Sequence, residues 1–140
     1  PNISVHLLAD IPPLFLARSG HPLASQRNLP LSALAPYKFA NIRFGSMFAD
    51  LYRRKAGTAI DTALLCDDYE TLAEALETSD MLTFATAPVL AMLQRRHDIV
   101  ALDITGIDYR HHIHCAQPAG RPLSRPAQKV LALIEAAIAA

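Results

Sequence analysis

Met81-Leu82-Thr83-Phe84-Ala85-Thr86-Ala87 runs straight into Pro88. The run is short and almost wholly apolar, as a strand buried on both faces requires. Pro88 suits the first position of a following helix, where its missing N–H costs nothing. That helix runs through Leu90 and Leu93 to Arg96. Upstream, Asp67 is placed to cap a helix over Tyr69 to Glu77, with Glu70 as its capping-box partner and Leu72, Ala73 and Leu76 as its buried face. Before that come a strand over Ile60 to Cys66, a helix over Met47 to Ala56 stopped by Gly57, and a strand over Tyr37 to Ile42. Phe48, Leu51 and Tyr52 mark the buried stripe of that first helix.

Downstream, Ile99 to Ile104 reads as a strand and Tyr109 to Gln117 as a longer alternating one. A final helix starts near Ser124, with Pro126 in its first turn. Strand–helix alternation of this kind implies an α/β fold with a mainly parallel sheet flanked by helices. Ile3 to Leu8 and Leu14 to Ala17 are further strands, and His21 to Leu34 is a connection with one helical turn near Leu31 to Leu34. The last helix carries Val130, Leu131, Leu133, Ile134 and Ile138 against only Lys129 and Glu135, so it needs cover on more than one side.

Composition narrows the function. Of the 140 residues 51% are hydrophobic and 19% charged, which supports a packed core rather than disorder. Net charge is zero, and Arg53-Arg54-Lys55, the densest basic run, reads as a solvated helix end. Without a basic face the chain is not expected to contact nucleic acid directly. Its two cysteines, Cys66 and Cys115, read as reduced thiols of a cytoplasmic protein, and no apolar run is long enough for a membrane span. No nucleophile elbow, phosphate loop or zinc motif is present, so neither catalysis, a cofactor nor a metal is expected. His111, His112 and His114 do not change this, because alternation sends His112 and His114 to one face and His111 with Cys115 to the other.

Several stretches resemble the effector-binding region of LysR-type transcriptional regulators. Leu14 to Ala24 is similar to that family's strand and "HPLA" turn, and Leu29-Pro30-Leu31-Ser32-Ala33-Leu34 to its "lsdL" turn. Ser79 to Pro88 resembles the strand ending in "lP", and Arg121 to Ala127 the turn into the last helix. Ser79-Asp80-Met81 stands where many members carry Gly-x-Gly.

The resemblance implies a type II periplasmic-binding-protein-like fold of two lobes around an effector cleft. Residues of about 22–102 would form the second lobe, 14–18 and 109–117 the hinge strands, and 124–139 a helix returning to a first lobe mostly absent here. It also implies a non-catalytic ligand sensor, with a helix-turn-helix module elsewhere reading DNA and homo-oligomerisation of the full-length protein. A solute-binding receptor on the same fold is the alternative.

The expected partner is a small anionic or polar effector. Asn41, Arg43, Gly45 and Ser46 lie where a strand ends and a helix begins, an edge at which α/β sheets bind ligands. Ser46 reads either as a donor to a carboxylate or as a helix cap, and Arg43 as a partner for a ligand acid or as an ordinary exposed arginine. By the resemblance Ser79, Asp80 and Thr83 line the cleft. Asp80 reads either as a group orienting a ligand amine or hydroxyl or as the residue closing a turn.

Overall fold

The computed structural model describes residues 2–43 and 46–139, the side chains of 46–48 and 139 apart. In chain order the elements are β1 (Ile3–Ile11), β2 (Leu14–Arg18), β3 (Leu29–Pro30), a 3-10 turn (Leu31–Leu34), β4 (Phe39–Asn41), α1 (Ser46–Ala56), β5 (Thr62–Leu65), α2 (Tyr69–Glu77), β6 (Thr83–Ala85), α3 (Ala87–Leu93), β7 (Ile99–Ala101), β8 (Ile104–Thr105), β9 (His111–Pro118) and α4 (Arg125–Ala139). The chain divides into two compact units, one over Pro13–Tyr109 and the other made of its two ends.

In the Pro13–Tyr109 unit, β4 pairs parallel with β5, and a parallel bridge from Phe39 to Leu82 carries the pairing on towards β6. The bridge is held by the Ala40 amide on the Leu82 carbonyl and the Leu82 amide on the Lys38 carbonyl, each 2.9 Å. β2 then lies antiparallel between β6 and β7. The strand order is therefore β5-β4-β6-β2-β7, mainly parallel with β2 alone reversed. The α/β class read from the alternation stands.

Residues of β2 alternate between the two faces, as a strand must. Phe15 and Ala17 join a cluster with Phe39, Tyr52, Leu82 and Phe84, while Leu16 joins Ala73, Leu76, Leu93 and Ile99 beneath α2 and α3. Phe39 packs edge-on against both Phe15 and Tyr52, with ring centres 6.4 and 5.8 Å apart.

Several local readings need correction. Asp68, not Asp67, caps α2: its Oδ2 accepts from the Thr71 amide at 2.9 Å, and Asp67 is drawn off by Arg43. Glu70 turns away from any capping box to meet His97. The helix after Pro88 begins one residue earlier, at Ala87, and stops at Leu93 rather than Arg96. The strand read over Ile99 to Ile104 is two, because Leu29-Pro30, read as loop, forms β3 and pairs parallel with β8. Phe48 and the Gly45–Ser46 turn lie outside the residues or side chains described.

Gly57 ends α1 at φ +73°, its amide donating to the Arg53 carbonyl at 3.1 Å. A Cβ there would meet nothing within 4 Å, so the cost of Gly57→Ala is that of the left-handed backbone alone. It is expected to destabilise by about 1–2 kcal/mol, with Gly57→Asn losing less, as thermal unfolding would show.

In the unit formed by the chain ends, β1 and β9 pair antiparallel from Ile3 opposite Pro118 to Ile11 opposite His111, with an irregularity between Leu7 and Ala9. α4 packs on β1. Val130 and Leu133 are 55% and 71% exposed, and Ile3, Val5 and Leu7 are exposed on β1. The apolar excess of α4 is thus not absorbed by its own unit.

Candidate functional site

β4 connects through α1 to β5 on one side, and β5 returns through α2 to β6 on the other. The gap between the C-terminal ends of β4 and β6 is therefore a topological switch point, where such sheets leave a crevice. Asn41 is the last residue of β4 and is only 7% exposed. Its Nδ2 donates to Thr62 Oγ1 at 3.3 Å, while Oδ1 is buried with no partner. An unpaired buried acceptor costs about 1–3 kcal/mol, so this orphaned amide oxygen calls for an explanation.

Beside it is a cavity of about 340 Å³, lined by Asn41, Arg43, Arg53 and Thr62 together with Ile60 and Phe84. Both arginines have acidic mates. The Arg43 amide donates to Asp67 Oδ1 at 3.0 Å, and its guanidinium lies 3.7 Å from the same carboxylate. Arg53 Nη2 lies 2.7 Å from Asp50 Oδ1. Arg43 is the looser of the two, with a side chain 76% exposed. Charge here is paired and exposed at the mouth, with an apolar wall and an amide within.

Ser46 opens α1, and Gly45 falls outside the described residues. The other three expected residues are not brought to this place. Ser79 and Asp80 precede β6 and so stand at the opposite, N-terminal edge of the sheet. There they are occupied. Ser79 Oγ donates to the Ala75 carbonyl at 2.6 Å and accepts from the Met81 amide at 3.1 Å. Arg18 clamps the turn, with Nε donating to the Ser79 carbonyl at 3.1 Å and Nη2 to Asp80 Oδ1 at 2.6 Å.

His21 completes that clamp. Its Nδ1 accepts from the Leu23 amide at 3.1 Å, which leaves Nε2–H to donate to the Asp80 carbonyl at 3.3 Å. The ring is buried and packs tilted against Tyr37, and burial holds its pKa below the ordinary histidine value. Thr83 is buried in register with Leu16, on the face beneath α2, and its Oγ1 has no partner.

Sequence reasoning missed Arg53 and Thr62 as cavity residues. Arg53 read as solvent-facing, and nothing local to Thr62 says that its hydroxyl meets an amide on another strand. Among the described residues no group of three or more metal-ligating side chains is gathered, and no helix is long and apolar enough to cross a membrane.

The family model described as "LysR substrate binding domain" matches residues 1–139. The regulatory domain of CcmR from Synechocystis PCC6803, solved with 2-PG, superposes with a TM-score of 0.79 at 22% identity, covering 98% of this chain and 67% of that one. HinK, a LysR family regulator from Pseudomonas aeruginosa, gives 0.79 at 15% identity, over 98% of this chain and 49% of its own. The effector-binding domain of QuiR in complex with shikimate gives 0.71 at 14%, over 96% and 64%. The chain thus spans about half to two thirds of these relatives' lengths. No curated protein matches it in sequence.

Proposed function

Since the chain belongs to the LysR substrate-binding domain family, we propose that it is the ligand-sensing part of a cytoplasmic bacterial transcription regulator, binding a small polar or anionic effector without chemical turnover. Residues 13–109, with β2 inside their sheet rather than serving as a hinge strand, form one lobe of the sensor, and 124–139 serve as the returning helix. DNA is contacted by another part of the regulator, which works as a homo-oligomer. Effector binding shifts the population between lobe arrangements, and that shift is the signal.

The observation that carries this reading is the cavity at the end of β4, beside α1 and β5, with a buried, unsatisfied Asn41 amide oxygen and two arginines on its wall. Asn41, Arg43, Gly45 and Ser46 are the effector-binding set of this reading, joined by Arg53 and Thr62. Ser79 and Asp80 brace the turn before β6 instead, their polar groups already engaged by Arg18 and His21. Relatives solved with 2-PG and with shikimate support a small oxygen-rich ligand.

A thermal-shift screen of small organic acids and polyols, followed by calorimetry on the hits, tests this. A true effector is expected to lose about tenfold or more in affinity with Arg43→Ala or Ser46→Ala, equivalent to roughly 1.4 kcal/mol. Hits that bind these variants as well as the parent would place the site elsewhere.

A further inference from the structure

Resting on the effector site just described, we infer that Asn41 is its specificity-determining residue and that it reads a hydroxyl group carried on an apolar carbon skeleton. Three observations lead there. Asn41 is more than nine-tenths buried, yet its amide has one protein partner, Thr62 Oγ1, and an oxygen with none. The cationic groups on the wall do not share that unmet demand, because Arg43 is matched by Asp67 and Arg53 by Asp50. The remaining surface beside the amide, Ile60 and Phe84, is apolar and suits carbon rather than a second charge.

A carboxylate only accepts hydrogen bonds, so it cannot satisfy the Asn41 oxygen and could meet only the nitrogen end of the amide. A hydroxyl both donates and accepts, and it therefore satisfies the amide whichever end is turned towards Thr62. The oxygen is sealed from bulk water. Contact with a ligand therefore requires the amide to turn about its broad terminal torsion. A site built to bond a hydroxyl discriminates strongly against the analogue lacking it, because its own buried group is then left unpaired.

Phenol and fluorobenzene, near-equal in shape and differing in the hydroxyl, are suitable probes for a cavity of about 340 Å³. Titrations followed by NMR of the asparagine side-chain amides are expected to show phenol binding about tenfold or more tightly than fluorobenzene, from the value of one hydrogen bond. The Asn41 amide signals should move with phenol, and Asn41→Leu should erase the preference. The comparison in the unaltered protein stands whether or not that variant folds. Equal affinity for both probes, or a preference kept in Asn41→Leu, would overturn the hydroxyl reading and leave the effector site in place. Failure of both probes to perturb any cavity residue would overturn the hydroxyl reading, and joined to a screen of organic acids and polyols without a hit at this cavity it would overturn the effector site too.

Discussion

Phe15→Ala is expected to remove about 3–5 kcal/mol of unfolding free energy, the range for deleting a fully enclosed aromatic ring. Phe15 is 1% exposed in β2 and stands in register with Phe84 of β6. Its ring meets Phe39 edge-on, and its carbonyl accepts from the Leu102 amide at 2.8 Å. The cavity would open where the one reversed strand threads the sheet, so neighbours on both sides are held by backbone pairing and cannot close in. Typical domains have only about 5–15 kcal/mol to lose. Urea unfolding followed by far-ultraviolet circular dichroism measures the change, and a loss below about 1 kcal/mol would show that β2 is not central to the core. Phe15→Leu should lie well short of the alanine value.

The second large effect is a dependence on pH centred on His97. Its ring lies between two carboxylates of α2, Nε2 at 2.8 Å from Glu70 Oε2 and Nδ1 at 3.0 Å from Glu77 Oε2. Carboxylates accept only, so both ring nitrogens must carry protons and the imidazole is a cation. Hydrogen bonds to Glu70 and then Glu77 raise its pKa above the ordinary 6.5. Glu77 is held below the ordinary 4.5, first by His97 and then by the Asp98 amide on its other oxygen at 2.8 Å. Asp98 passes the link on to Ser19 beyond β2, through the Ser19 hydroxyl and through the Ser19 amide on its carbonyl at 2.9 Å.

The sign follows from linkage. A raised folded-state pKa at His97 means that its stabilisation is complete below 6.5 and is lost as pH climbs through the raised value. A depressed value at Glu77 means that its contribution is present above 4.5 and is lost as pH falls through the lowered value. The urea midpoint should therefore be higher at about pH 6 than at about pH 9. His97→Gln should flatten that alkaline fall, and Glu77→Gln should reduce it while weakening the acid-side loss. An alkaline fall of unchanged size in His97→Gln would assign it to another group.

The amino-acid sequence by itself determined the elements whose causes are local. Leu72, Ala73 and Leu76 recur on one side of a helix and are buried there, and the apolar run ending at Ala85 is a strand covered on both faces. Asn41 and Arg43 were legible as site candidates because a strand running into a helix marks a sheet edge wherever it occurs. Tertiary structure alone decided the rest, since strand direction, register and edge are set by pairing between distant segments. Adjacent Asp67 and Asp68 offer the same cap, and the contact of Arg43, just past β4, chooses Asp68 by engaging its neighbour just past β5. Ser79 and Asp80 lie close in sequence to the buried strand, yet they enter it at its N-terminal end, away from the crevice. Reversal of β2 brings Arg18 to that edge to hold them. Thr62 stands opposite Phe39 and meets the Asn41 amide diagonally because β5 pairs parallel with β4. A hydroxyl and an amide 21 residues apart become partners only once that register exists.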